Sequence, residues 1–204
     1  MARTQAADFD KRREAIMETA AGLYARKGFL GASVAEIAAA CETSKSLIYH
    51  YYPSKEDILF DVMYSHVQSL AEAARLIDET EDDPLKKVRR IAAALMVLYA
   101  GHEANQKVLL NELANLPPDR RSVIVDHQRQ LLDLMDAVLL GIRPDLKTDR
   151  PRRRALVMMF FGMLNWTHTW FDPAGPVKNS EIADIASGMF LAGLEKSAPT
   201  NSVG

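Results

Sequence analysis

Residues 33–53 read SVAEIAAACETSKSLIYHYYP, and two helix starts lie inside this stretch. Ser33, with Glu36 three residues on, is the pattern in which a hydroxyl and a carboxylate each satisfy a free backbone amide at a helix N-terminus. Val34, Ile37 and Ala38 give that helix an apolar face. After Cys41-Glu42-Thr43, Ser44 is a second cap, and it opens a segment that ends where Pro53 forces its predecessor out of helical geometry. Two short helices joined by a turn of a few residues form a helix-turn-helix, the arrangement that lays its second helix in the DNA major groove.

Working outward, residues 10–27 place Ile16, Ala20, Leu23 and Tyr24 on one face of a preceding helix, which Gly28 stops. Downstream, Ser54 with Asp57 caps a long helix carrying Ile58, Leu59, Val62, Met63, Val67 and Leu70, expected to end near Glu79. Further helices are predicted over 84–101, 105–116, 119–140, 152–171 and 180–196, with breaks at Pro117-Pro118, Gly141–Pro144 and Asp172–Val177. Apolar residues recur every three or four positions and never alternate, so the expected fold is all-α with about nine helices. The chain divides into a three-helix helix-turn-helix domain over 1–53, a second helical domain over 54–196, and flexible tails at 1–8 and 197–204. Its 204 residues suffice for a substantial core.

The second helix of the motif can turn Leu47 and Ile48 inward, leaving Thr43, Ser44, Lys45, Ser46, Tyr49 and His50 outside. Hydroxyls, a cation and an imidazole suit phosphates and base edges. The run GFLGASVAEIAAACETSKSLIYHYYPSKEDIL, residues 28–59, resembles the DNA-binding signature of the TetR family of bacterial transcriptional regulators. The resemblance implies an all-α homodimer with an N-terminal DNA-binding domain and a variable ligand-sensing domain. Carried over by position, it implies that Ser33 meets a phosphate and that Thr43, Ser44, Lys45 and Ser46 enter the groove. It further implies that Tyr49 and Tyr51 contact the backbone through their hydroxyls, that His50 lies near bases or phosphates, and that Lys55 anchors a phosphate. Tyr52 takes the place of a family phenylalanine and belongs to the core. Two positions depart from the pattern: Glu42 stands where the family usually has Gly, which implies a left-handed residue or a different turn, and Tyr51 replaces the usual His. Residues 1–55 hold eight basic and six acidic side chains, a surplus of two, so hydroxyl and amide contacts should matter as much as cations.

Residues 54–196 are rich in soft and aromatic side chains, suited to an apolar cavity or simply to a core. The phrases LLNELANLPPDRRSVI (109–124) and FFGMLNWTHTWFDPAGPVKNSEIADIASGMFLAGL (160–194) resemble the C-terminal domains of a TetR subgroup that regulates fatty-acid, phenylacetate and related acyl-CoA catabolism. That resemblance implies a small apolar effector such as an acyl-CoA thioester. Candidate ligand-binding residues are Met63, Met96, Tyr99, Asn111, Met135, Phe160, Met163 and Trp166, with Glu112, His127, Asn165 and His168 as further polar groups. Arg120, Arg121, Arg150, Arg152, Arg153 and Arg154 are candidates for its phosphates, or else a solvated charge run. The last two helices are expected to form a four-helix dimer interface with Trp170, Phe171, Met189, Phe190 and Leu194 as anchors and Gly162, Gly188 and Gly193 allowing close approach.

The expected function is a transcriptional repressor released from a pseudo-palindromic operator by its effector, the partners being double-stranded DNA, the effector and a second copy of the chain. The alternatives are an acyl-CoA-binding or hydrolysing enzyme, and a DNA-binding regulator without an acyl-CoA effector. An enzyme is disfavoured: neither a GxSxG elbow nor a GxGxxG or phosphate loop occurs. One cysteine, Cys41, and widely spaced His102, His127 and His168 suggest no metal, and no resident cofactor is expected. The longest apolar run, 155–164, is about half of a bilayer span, and the N-terminus lacks a signal-peptide core, so a cytoplasmic protein with no membrane partner is expected.

Overall fold

The computed structural model describes residues 2–196, so the expected tail at 197–204 lies outside the described residues. Nine α-helices make up the described chain: α1 Ala2–Gly31, α2 Val34–Ala40, α3 Lys45–Tyr51, α4 Lys55–Thr80, α5 Pro84–Gly101, α6 Glu103–Asn111, α7 Pro118–Ile142, α8 Arg150–Asn165 and α9 Asn179–Lys196. Short 3₁₀ turns lie at Leu113–Asn115, Pro144–Thr148 and Trp166–Thr169.

Most boundaries follow from local chemistry. Asp83 accepts hydrogen bonds from the amides of Leu85 and Lys86, and Pro84, which has no amide hydrogen to satisfy, opens α5. Ser54 both accepts from the Asp57 amide and donates to its carboxylate at the start of α4. Asp149 accepts from the Arg152 amide ahead of α8. Three boundaries differ most from the expectation. The helix expected over 105–116 runs Glu103–Asn111 and gives way to the 3₁₀ turn Leu113–Asn115. α1 begins at Ala2 instead of Asp10, because Gln5, Ala6 and Ala7 are good helix formers and continue the turn. Gly28 still breaks it: its φ of 74° and ψ of 160° suit glycine and kink the helix there. α8 ends at Asn165, not near Phe171. Thr167 and Thr169 donate their hydroxyls to the carbonyls of Leu164 and Trp166, and His168 Nδ1 lies 2.6 Å from the Asn165 carbonyl, so side chains take over bonds that a helix would use.

The chain forms two compact units, and each gathers segments that are distant in sequence. One comprises Met1–Gln68 with His102–His127, the other Ser69–Gly101 with Gln128–Gly204. In the first, α1 packs on α6 and α2 on α3, around Tyr24, Ile37, Ile48, Ile58, Leu59 and Ile124, all essentially without solvent exposure. In the second, α5 packs on α9 and α8 around Ile91, Leu95, Met96, Met135, Val157 and Phe160. Among the described residues no helix is long and apolar enough to cross a membrane.

Candidate nucleic-acid interface

The turn between α2 and α3 is built by three residues. Cys41 closes α2, Glu42 adopts φ 51°, and the amides of Glu42 and Thr43 return to the carbonyls of Ala39 and Ala38. These crossed bonds form a Schellman motif, whose left-handed position usually belongs to glycine. The motif therefore persists with a glutamate in that place, at the cost of local strain. Ser44 follows in extended conformation and accepts from the Leu47 amide, starting α3.

Ile48 fixes how α3 faces: it has no exposed surface, whereas Lys45, Ser46, Tyr49 and His50 are exposed and Leu47 is half-buried. Ser44 is exposed and Thr43 half-buried. Among the described residues no ion pair engages Lys45, so its charge stays available. Tyr51, in the last turn, is half-buried. Tyr52 is core, as expected: its hydroxyl donates to Asp61, and Arg13 pairs with Asp61 at 3.0 Å while lying over the Tyr52 ring. Burial, reinforced by the Asp61 carboxylate, pushes that phenol well above its ordinary range.

Two predicted phosphate contacts are otherwise engaged. The Ser33 hydroxyl accepts from the Glu36 amide and donates to the Glu36 carboxylate, which also accepts from the Ser33 amide to complete the capping box. That carboxylate also holds Lys27, and the hydrogen bonds from Lys27 and Ser33 pull its pKa down to about 2. The Lys55 ammonium donates to the Phe29 carbonyl and sits 4.1 Å from the centre of the Phe29 ring, clamping the end of α1 to the start of α4. Its partial burial lowers its pKa.

Sequence reasoning missed two groups in this unit. Phe9 stacks on Tyr51 with ring centres 4.5 Å apart, and edge contacts join Phe9 to His50 at 6.3 Å and His50 to Tyr51 at 5.4 Å. The signal is present, since Phe9, Arg13, Ile16 and Ala20 continue the stripe of α1 at helical spacing, but a helix that starts at Asp10 leaves Phe9 out. His66 is buried on α4, 2.8 Å from the Gln106 side chain of α6; burial lowers its pKa to about 4. No local pattern marks it.

The candidate ligand residues are not placed alike. Met63 is fully buried in the first unit, and Asn111, exposed there, donates to the Lys107 carbonyl. In the second unit Met96, Met135 and Phe160 are buried and Met163 half-buried, while Tyr99 donates its hydroxyl to Asn165 at 2.7 Å. Trp166 is 65% exposed. Among the candidate anchors of self-association, Trp170 and Met189 are exposed and Phe171 is half-buried, whereas Phe190 and Leu194 lie inside the unit, where Phe190 packs against Phe160. Of the arginines, Arg120 pairs with Asp57, Arg121 donates to the Leu116 carbonyl, and Arg153 is buried against Asp136 and the carbonyls of Leu146 and Lys147. Arg150 and Arg154 line an open cleft of about 490 Å³ with Arg129, Asp133, Asp136 and Pro151. Among the described residues no cluster of His, Cys, Asp or Glu is placed to hold a metal ion.

Residues 16–62 match the model of bacterial regulatory proteins of the tetR family, and residues 81–194 match that of the tetracyclin repressor-like C-terminal domain. The chain is 25% identical to the HTH-type transcriptional repressor KstR2 of Mycobacterium tuberculosis over 94% of its length and 96% of that protein's. It superposes on a TetR-family transcriptional regulator from Bordetella parapertussis with a TM-score of 0.86 and 36% identity, covering 91% of this chain and 97% of that one. It also superposes on AibR, solved in complex with isovaleryl coenzyme A and operator DNA, with a TM-score of 0.75 and 28% identity, covering 87% and 97%.

Proposed function

The chain belongs to the tetR family of bacterial regulatory proteins, and from that premise we propose that it is a ligand-responsive transcriptional repressor acting as a homodimer on a pseudo-palindromic operator. Residues 1–53 read DNA, and residues 54–196 sense the effector and dimerise. The observation that carries the reading is the exposed face of α3: Lys45, Ser46, Tyr49 and His50 project from a helix whose inner side is locked by Ile48. Thr43, Ser44 and Tyr51 complete that surface, and Ser33 and Lys55 brace the helices beside it and lie at its edges. Two such faces related by a two-fold axis read half-sites about one DNA turn apart.

The effector is a small apolar molecule, with an acyl-CoA thioester favoured. The complex of AibR with isovaleryl coenzyme A and operator DNA supports that class. Dimerisation uses the exposed apolar side chains of α8, the turn after it and α9: Met158, Met159, Trp166, Trp170, Ile185 and Met189 are each about half or more exposed in the single chain. The effector prefers the DNA-incompetent state, and linkage then requires DNA to weaken effector binding by the same factor. The test is anisotropy titration on labelled DNA from the gene's own upstream region, at fixed salt, with and without a panel of acyl-CoAs. Specific binding released by one thioester is the expected result; binding indifferent to all of them removes the acyl-CoA assignment, and turnover of a thioester points to an enzyme.

A further inference from the structure

We propose that Phe9 is a positioning residue for DNA recognition: its ring holds Tyr51, and with it His50, in the orientations that the last turn of α3 presents to DNA. The proposal rests on the reading of α3 as the DNA-facing helix.

α3 has only seven residues, and its final turn ends at Tyr52 in extended conformation before Pro53. A helix this short gains little order from its own hydrogen bonds, so side chains in its last turn need neighbours to hold them. Among the described residues, the ring neighbour of Tyr51 and His50 from outside α3 is Phe9. It lies tilted by 33° over Tyr51 and edge-on, at 79°, to His50, while His50 meets Tyr51 edge-on at 85°. Offset and edge contacts are the favoured geometries of aromatic pairs. A tyrosine held this way keeps its hydroxyl aimed before DNA arrives, so less side-chain freedom is lost on binding.

Phe9 itself is an unsuitable phosphate ligand. It has no polar atom with which to meet a phosphate, although it is 40% exposed. Its contribution therefore runs through the rings it orders.

The experiment uses the full chain, its own upstream duplex and an unrelated duplex of equal length, with Phe9→Ala, Phe9→Trp and Lys45→Ala. Phe9→Ala is expected to lower affinity for the upstream duplex about three- to tenfold, the scale of one aromatic pair. Because Tyr51 meets the backbone, the unrelated duplex weakens by no more than that same factor, the salt dependence stays at its parental value since no charge is removed, and Phe9→Trp, which keeps a ring, restores binding. Lys45→Ala weakens both duplexes and lowers the salt slope by about one. If Phe9→Ala binds like the parent while Lys45→Ala is weakened, the role of Phe9 is overturned and the reading of α3 stands. Equal losses on both duplexes, unrescued by tryptophan, also overturn it, because they mark a general loss of structure. A parent chain without preference for the upstream duplex overturns the α3 reading and the proposal together.

Discussion

The turn and helix over residues 41–51 and the helices α8 and α9 use side chains in opposite ways. In the first region the turn and the helix start follow from partners three to five positions away: Ser44 meets the Leu47 amide, and the Thr43 amide meets Ala38. In the second, neighbours of the same chemistry part company. Met159 is 69% exposed beside Phe160, which has no exposure, and Met189 is 65% exposed beside a buried Phe190. Local hydrogen-bond chemistry decides the first region, and the packing of distant segments decides the second.

The sharpest way to break this contrast is at the adjacent pair. Phe160→Ala should cost about 3–5 kcal/mol of folding stability through lost burial and a cavity. Met159→Ala should change it by no more than about 0.5 kcal/mol, yet weaken self-association in sedimentation at low protein concentration. Similar urea midpoints for the two variants would contradict the division between core and surface.

His66 gives the next largest effect. Burial favours its neutral form, so the unfolded chain takes up a proton near the ordinary histidine pKa while the folded chain holds out to about 4. The associated stability is complete above about pH 6.5 and is lost as pH falls from there towards 4. Urea unfolding should lose about 2 kcal/mol from this group between pH 7 and pH 5, and His66→Gln should flatten that dependence. An unchanged pH slope in the variant would remove His66 as its source.

Smaller effects test the local region. Ser44→Ala deletes the α3 cap and should cost about 1 kcal/mol, read as a lower melting temperature together with weaker DNA binding. Glu42→Gly should stabilise. Relief of a left-handed L-residue is worth about 1–2 kcal/mol, and the greater freedom of glycine in the unfolded chain returns part of that, leaving about 0.5 kcal/mol. A drop in melting temperature would mean that the glutamate side chain makes a compensating contact.

Much of the fold was legible because its signals are short-ranged. Caps at Ser33, Ser44 and Ser54, the breaks at Gly28 and Pro53, and the helical stripes all act within one or two turns. The outward face of α3 was legible for the same reason, since burying Ile48 orients the helix. Lys55 was harder. Its ammonium is drawn to the Phe29 carbonyl, and only the relative placement of α1 and α4 shows this. Phe9 was missed with the first turns of α1, and no spacing rule pairs it with Tyr51, 42 positions away.

The sequence by itself determined an all-α chain and the positions of its helix-turn-helix elements, and left the turn at Glu42 open between a left-handed residue and another turn. It could do so because helix periodicity, capping and turn geometry are properties of neighbouring residues. The tertiary structure alone decided which of Met, Phe and Trp are core and which are surface, that His66 is buried, and that residues 102–127 join the first 68 in one compact unit. Those outcomes depend on which distant surfaces meet, and a hydrophobic side chain carries no mark of the partner that will cover it.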